Sequence, residues 1–217
     1  MEGALALGRA APYFPVDSVH VAVVDPGVGT ARRPIAARLG AHYFVGPDNG
    51  LCTLLVAQAR QAGGPVCFVH LDQPRYWLDE ISNVFHGRDI FSPVAAHLVN
   101  GVPLESLGSP IDDPHLLNPP LPKRTARGWR GQVIVVDNFG NLSTNLTGAD
   151  LAGMDNLVVH IAGREIHGLV KTFGERQPGE LVALLGEAGD LTISIVNGDA
   201  ASVLGVGAGE LIEIFSD

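Results

Sequence analysis

The feature that most constrains the fold is VHVAVV (19–24), a nearly continuous run of β-branched residues. It lies between Pro15 and the turn sequence DPGVG, so both of its ends are marked by residues that interrupt regular structure. Such a run is typical of a strand buried on both faces of a parallel sheet. The segment PVCFVHL (65–71) has the same pattern.

Helical segments alternate with these strands. An Ala/Leu-rich stretch, a stretch that begins at Asn49 and ends before Gly63-Gly64, and a stretch with proline near its start all have helical composition: 2–11, 49–62 and 92–100. Two short β-rich segments, 35–39 and 42–46, predict a hairpin. The alternation predicts an α/β layered domain, residues 1–100, with a mainly parallel sheet.

The remainder of the chain has a different pattern. Residues 101–123 carry six prolines and no periodicity, which predicts an interdomain linker. Residues 124–217 contain short apolar runs separated by turn sequences, and we expect them to form a mostly antiparallel β-barrel or sandwich. The predicted strands are 132–137, 156–162, 181–185, 191–196 and 211–215.

Composition narrows the range of partners. The net charge is −9 and no run of lysine or arginine exceeds two residues, which argues against nucleic acid and anionic membranes. No apolar run approaches the ~20 residues of a membrane span, and no signal peptide is recognisable, so we expect a cytoplasmic protein. Cys52 and Cys67 lie in apolar segments and are predicted to be buried and reduced.

Three stretches concentrate polar side chains beside glycines. In VVDPGVGTARRPI (23–35) the aspartate Asp25 follows a strand, and Arg32 is close enough to fold back on its carboxylate. In SNVFHGRDIF (82–91) His86 lies next to an Arg88–Asp89 pair within an apolar frame. Each pattern also has a structural interpretation, a Pro-Gly turn in the first case and a local ion pair in the second.

Two further stretches have comparable alternatives. In GPDNG the residues Asp48 and Asn49 are predicted to cap the helix that follows. In VVDNFGNLSTN (135–145) amides and one aromatic follow a strand, which suits recognition of a heterocycle but equally suits a turn with Asx hydrogen bonds. The other histidines lack metal-ligand spacing, so no metal site is predicted.

Together these motifs, in this order and over essentially the whole chain, resemble the S-adenosyl-L-methionine hydrolases, also called hydroxide adenosyltransferases, which are relatives of fluorinating and chlorinating enzymes. The resemblance implies a homotrimer without metal or organic cofactor, with substrate held between the α/β domain of one subunit and the β domain of the next. It implies that Asp25, Arg32 and His86 position the attacking water. The substrate-binding positions that it implies are Asp137, Phe139, Asn141, Glu187, Ala188, Val196, Asn197 and Gly198.

Within that resemblance we expect Asp25 to orient the water, Arg32 to hold the carboxylate and His86 to share the role of base. Two alternatives remain open: a non-catalytic protein that binds adenosine or S-adenosylmethionine, and an enzyme that uses halide. Family members open with a strand bearing an Asp-x-Phe-Gly type motif whose aspartate holds the ribose hydroxyls. The printed sequence has no such segment, so either the gene start was assigned too late or the chain is a true fragment. A chain that truly begins at Met1 is expected to bind ribose poorly and to have little activity.

Overall fold

The computed structural model describes residues 1–186 and 188–216. These residues form two compact units that divide between Asn118 and Pro119. The predicted linker, 101–123, contains this division, and part of it is regular structure: it includes a strand of the first unit, Ser109–Ile111, and the first residue of a strand in the second.

The first unit contains five strands and three α-helices among its described residues. In chain order they are α1 (Glu2–Ala10), β1 (Val19–Val21), β2 (Pro34–Leu39), β3 (His42–Pro47), α2 (Thr53–Gln61), β4 (Val66–His70), α3 (Ser92–Val99) and β5 (Ser109–Ile111). A π-helical turn, Gly87–Phe91, leads directly into α3.

The first sheet is mixed, not mainly parallel. Its strand order is β1-β3-β2-β4-β5, and only the β1–β3 pair is parallel. The predicted β2–β3 hairpin is confirmed, and its tight turn forces these strands to be antiparallel. Helix α2 then connects β3 to β4, which run in the same direction as each other but lie on either side of β2. The strand–helix–strand pattern is therefore right that β3 and β4 run in the same direction. It does not reveal that β2 lies between them.

Strand β1 differs from the prediction for VHVAVV. It spans only Val19–Val21, lies at the edge of the sheet and pairs with β3 alone. Val21, Val23 and Val24 are exposed, so the expectation of a strand buried on both faces is wrong here. Apolar composition identified a strand, but burial depends on what packs against it.

Both faces of the rest of this sheet are covered. Ile35, Ala37 and Leu39 pack in one cluster with residues of α2, and Ala36 packs in a second cluster with Val94 of α3. This alternation follows from the two-residue period of a strand. The α/β fold class is confirmed, with helices on both faces of the sheet.

The second unit is an antiparallel sheet that curls into a nearly closed barrel, as predicted. Its strands follow the path β10-β9-β13-β7-β8-β12-β11, with β6 paired to β7, and the end strands β10 and β11 lie close together. The bounds are β6 (Lys123–Arg124), β7 (Gly128–Val136), β8 (Leu142–Thr147), α4 (Gly148–Leu151), β9 (Leu157–Ile161), β10 (Arg164–His167), β11 (Leu181–Leu185), β12 (Asp190–Ile195), α5 (Ala200–Leu204) and β13 (Leu211–Ser216).

Two local expectations need correction. Helix α2 begins at Thr53, with Cys52 and not Asn49 at the capping position. Cys52 is buried as predicted, but Cys67 is exposed. In the part of the chain that the structure describes, no helix is both long and apolar enough to cross a membrane.

Candidate active site

The candidate site of the first unit is built around a buried ion pair. After β1 the chain turns tightly, with Thr30 Oγ1 donating to the Gly27 carbonyl at 2.6 Å, and this turn returns Arg32 to Asp25. Arg32 Nε donates to Asp25 Oδ1 at 3.1 Å, and Arg32 Nη2 contacts Oδ2. The two side chains are only 7% and 4% exposed. Two parallel hydrogen bonds are the arrangement that makes burial of such a pair tolerable.

His86 contacts the same guanidinium. Arg32 Nη2 lies 3.2 Å from His86 Nδ1. Because a guanidinium can only donate hydrogen bonds, Nδ1 must be the accepting nitrogen, and the hydrogen of the neutral ring then belongs on Nε2. The sequence-predicted trio of Asp25, Arg32 and His86 is therefore one connected cluster. The remaining arginine nitrogen, Nη1, is buried and has no hydrogen-bond partner among the described residues.

Two loops meet at this cluster. Gly29 has φ +75°, and a Cβ built on it would lie 2.8 Å from the carbonyl oxygen of Asn83. Glycine is therefore needed at position 29 for both its backbone conformation and the close approach of its neighbour. This approach places the loop that carries Asp25 and Arg32 directly against the loop that precedes His86.

The GPDNG motif (46–50) holds the chain that leads into the cluster. Asn49 Nδ2 donates to the carbonyl of Val24 at 2.8 Å and so holds the chain just before Asp25. Asp48 accepts from Arg33 Nε at 2.9 Å and from the backbone N–H of His115 at 2.7 Å. These side chains bind remote parts of the chain, and neither caps α2.

Asp89 is a second buried carboxylate. From the sequence it was interpreted only as half of a local ion pair with Arg88. The Arg88–Asp89 contact exists, with Arg88 Nε 2.5 Å from Asp89 Oδ1, but Asp89 is fully buried and also accepts from the backbone N–H of Ser82 at 2.8 Å. The sequence signal for this burial was a charged residue followed directly by two large apolar residues, Ile90 and Phe91.

In the second unit, the loop between β7 and β8 is an Asx turn. Asp137 Oδ1 accepts the backbone N–H groups of Phe139 and Asn141 at 2.8 and 2.9 Å, and Oδ2 accepts from Asn141 Nδ2 at 2.8 Å. Phe139 is 78% exposed. The loop therefore presents an aromatic ring on a rigid turn.

The turn after β12 lies beside that loop. A Cβ on Gly140 would overlap Asp199 Oδ1, and Ala201 N donates to the Gly140 carbonyl at 3.0 Å. Val196, Asn197 and Gly198 immediately precede Asp199, so the structure brings both predicted adenine-reading segments together. Asn197 has φ +53°.

Of the two remaining predicted positions, only Ala188 is among the described residues. Ala188 is exposed in the turn between β11 and β12, at the opposite end of β12 from Gly198. Six residues of strand separate the two ends by about 20 Å, so the structure does not group Ala188 with the adenine-reading segments. Glu187 lies outside the described residues. No three His, Cys, Asp or Glu side chains within residues 1–186 and 188–216 come together as a possible metal site.

Comparison with known proteins identifies the family of the chain. Residues 1–108 match the model of the SAM hydroxide adenosyltransferase N-terminal domain, and residues 131–213 match that of the C-terminal domain. The chain belongs to the SAM hydroxide adenosyltransferase family.

Several members of this family are substantially similar in sequence. The (R)-S-adenosyl-L-methionine hydrolase of Salinispora tropica is 40% identical over 215 residues, covering 98% of this chain and 80% of the relative. The protein of the same name from Thermus thermophilus is 42% identical over 216 residues, covering 95% and 79%. A fluorinase from Actinoplanes is more distant, at 25% identity over 177 residues, 69% of this chain and 58% of the relative.

Two solved structures have the same fold as this chain. A conserved protein from Thermotoga maritima superimposes with a TM-score of 0.86 at 35% identity, covering 99% of this chain and 83% of the other. A conserved protein from Thermus thermophilus gives a TM-score of 0.75 at 39% identity, covering 98% and 80%.

Proposed function

We propose that this chain hydrolyses S-adenosyl-L-methionine to adenosine and L-methionine, with Asp25, Arg32 and His86 holding the attacking water. The observation that carries the proposal is the buried, hydrogen-bonded cluster of these three side chains. Membership of the SAM hydroxide adenosyltransferase family and about 40% identity to proteins named for this hydrolysis support it.

The reaction is a displacement at the ribose 5′ carbon. A water oxygen forms a bond to C5′ while the C5′–S bond breaks, and its electron pair leaves with the sulfur. The sulfonium thereby becomes the neutral thioether of methionine. The water oxygen becomes the 5′-hydroxyl of adenosine after losing a proton, which passes to the Asp25 carboxylate that accepts its hydrogen bond and from there to solvent. Because the leaving group is neutral, no general acid is needed, and the main requirement is to hold one water in line with the C5′–S bond.

The hydrogen-bond directions support particular roles in this step. The Asp25 carboxylate is fixed by Arg32 and serves as a rigid acceptor for one water hydrogen. His86, whose Nδ1 is occupied by Arg32, is left with Nε2–H as a donor to the water oxygen. In this arrangement His86 orients the water through Nε2–H instead of taking the expected role as base. The buried Arg32 Nη1 is a further donor that a bound oxygen could satisfy.

The second unit is proposed to bind the adenine. Phe139 supplies an exposed ring for stacking, while Asn141 and the backbone of Val196, Asn197 and Gly198 can read the edge of the base. A carboxylate at Asp137 suits the methionyl amine. The family resemblance adds Glu187 and Ala188 near the methionyl group.

We also propose a homotrimer whose sites lie between subunits, on the strength of the family resemblance. Size-exclusion chromatography with light scattering measures the mass directly. Asp25→Ala and Asn141→Ala chains, each inactive alone, should regain activity when they are refolded together, because some interfaces then combine two intact halves. Absence of any recovery from a mixed trimer would contradict shared sites.

The function is tested by incubating purified protein with S-adenosyl-L-methionine in ¹⁸O-water and analysing the products by mass spectrometry. We expect adenosine with the label in its 5′-hydroxyl, together with unlabelled methionine. Binding without turnover would favour the non-catalytic alternative. Formation of 5′-chloro- or 5′-fluoro-5′-deoxyadenosine in the presence of halide would favour the halide-using one.

Variants then test the assigned residues. Asp25→Ala and His86→Ala should each lower kcat by about 100-fold or more with little change in KM, since their contacts act on the attacking water. His97→Ala is the matched control, because His97 belongs to the same unit but its ring packs against Tyr76 and not against Asp25 or Arg32. Equal losses in kcat and affinity would mean that Asp25 and His86 hold substrate instead.

A further inference from the structure

The carboxylate of Asp89 is the most completely buried charged group among the described residues, and the proposed reaction does not use it. Asp89 is 0% exposed and lies within the π-helical turn Gly87–Phe91 that follows His86. Single π-helical turns are costly and are frequently found at functional sites. Burial of a carboxylate is costly as well, so the contacts that compensate for it indicate its role.

Those contacts converge on the loop that leads to His86. Asp89 Oδ2 accepts the backbone N–H of Ser82 at 2.8 Å. The backbone of Asp89 adds two further bonds, donating its N–H to the Phe85 carbonyl at 3.0 Å and accepting the N–H of Leu78 at 2.9 Å. One residue therefore holds the segment 78–85 at three points.

Arg88 closes the arrangement from the solvent side. Its guanidinium contacts both oxygens of Asp89, at 2.5 and 3.1 Å, and lies 5.1 Å from the centre of the Phe85 ring. These hydrogen bonds from Arg88, followed by the one from Ser82, hold the pKa of Asp89 below its ordinary value. The carboxylate is thus charged, neutralised by its neighbour and fixed in one orientation.

The loop that Asp89 holds also determines where His86 meets Arg32. The Asn83 carbonyl lies against Gly29, and His86 Nδ1 lies 3.2 Å from Arg32 Nη2. A small movement of this loop would lengthen that contact and turn the imidazole away. The Ser82 N–H bond is therefore placed to control the geometry of the cluster.

We propose that Asp89 is a positioning residue for the hydrolysis, which fixes the orientation of the His86 ring through the Ser82–Phe85 loop. The inference rests on the proposed function, because His86 must act in the reaction for its orientation to affect turnover. Asp89 itself does not touch the water or the substrate in this scheme.

Two variants separate the loop contact from the charge. Asp89→Ala removes the acceptor for Ser82 N–H, and we expect kcat to fall about tenfold or more at little changed KM. Asp89→Asn can still accept from Ser82 through its amide oxygen, so it should recover most of kcat. Because Asp89→Asn removes the negative charge beside Arg88 while keeping the Ser82 contact, recovery would show that this contact, and not the charge, sets kcat.

The opposite change supplies an internal check. Arg88→Gln removes the cation but keeps the Asp89 carboxylate and can still donate to it through an amide, so most of kcat should be retained. The control is Asp72→Asn, since Asp72 also accepts a backbone N–H, that of Ser109, but its hydrogen bonds go to Gln73 and Ser109 and not to the Ser82–Phe85 loop. Asp72→Asn should leave kcat unchanged. A merely structural role for Asp89 would lower the stability of Asp89→Ala without selectively lowering kcat.

A spectroscopic readout keeps the test independent of activity. Long-range ¹H–¹⁵N NMR reports which ring nitrogen of His86 carries the hydrogen, and we expect Nε2–H in the unvaried protein and in Asp72→Asn. Loss of that signature in Asp89→Ala, with retention in Asp89→Asn, is the expected result. If unvaried protein releases no adenosine, the proposed function fails while the NMR comparison still tests the positioning. An unchanged His86 signature and unchanged kcat in Asp89→Ala would overturn the inference.

Discussion

Replacing Gly29 by alanine perturbs the contact between the two site loops with a single methyl group. The position has φ +75°, where a Cβ costs about 1–2 kcal/mol. The new carbon would also lie 2.8 Å from the Asn83 carbonyl oxygen, about 0.6 Å inside the 3.4 Å at which ordinary van der Waals contact begins. Since both partners are backbone, one loop must move by roughly that amount.

A movement of this size would disrupt the contact between Arg32 and His86. The contact between Arg32 Nη2 and His86 Nδ1 is already 3.2 Å long, and a further 0.6 Å would break it. Misplacement by about 1 Å can cost about 100-fold in rate, so we expect Gly29→Ala to lower kcat about tenfold or more. The strain alone should lower Tm by about 2–4 °C per kcal/mol.

Gly63→Ala separates these two effects. Gly63 has φ +66° but nothing within 4 Å of a built Cβ, so it carries similar backbone strain without the clash. Steady-state adenosine release and thermal unfolding are measured side by side for both variants. We expect a similar fall in Tm and a loss of kcat only in Gly29→Ala. Equal kcat in the two variants would refute the argument that loop contact sets the geometry of the cluster.

Two further predictions concern groups outside the cluster. Burial raises the pKa of the Cys52 thiol to about 12, whereas Cys67 is exposed. A thiol reagent at pH 8 should therefore modify one cysteine in the native chain and two in denaturant. Mass spectrometry should identify Cys67 as the residue modified in the native chain. Burial, and secondly His42, lower the pKa of His20 below its ordinary value. The folded state therefore binds fewer protons than the unfolded chain, and stability should be full above about pH 6.5 and decline below it. Urea unfolding at pH 7.5 and 5.5 should show a smaller decline for His20→Gln, and an equal decline would contradict this assignment.

The fold was predictable wherever the pattern depends on neighbours along the chain. The β2–β3 hairpin and the runs that became β9, β11, β12 and β13 depend on local composition and turns, and they were found within one or two residues. Strand β8 was missed because its sequence, LSTNLT, is rich in polar residues. It alternates Leu142, Thr144 and Leu146 toward the core, and a period-two pattern containing a buried threonine is easily taken for a loop.

Predictions were less accurate where they depend on residues that are far apart in the sequence. Cys67 lies in an apolar strand, but its exposure is set by what covers that face of β4. Asn49 was expected to cap a helix, whereas its amide binds a carbonyl 25 residues away. For Asp25, Arg32 and His86 the sequence did identify the side chains that meet, because each combines a charged or titratable group with a glycine-containing turn and with a recognised motif. The direction of the Arg32–His86 hydrogen bond required the geometry.

That direction implies a specific interdependence among the variants. If Gly29 and Asp89 act only by placing His86, their contributions must disappear once the imidazole is absent. We therefore expect Gly29→Ala/His86→Ala and Asp89→Ala/His86→Ala to have the same kcat as His86→Ala alone, although each single change lowers kcat in the unvaried background. Substitutions that act through a common group have non-additive effects of this kind, whereas the fold losses of kcat from independent substitutions multiply. The measurement is a double-mutant cycle on adenosine release, with Gly63→Ala/His86→Ala as the control for strain. Multiplying losses would show that Gly29 and Asp89 affect the reaction by a route that does not pass through His86.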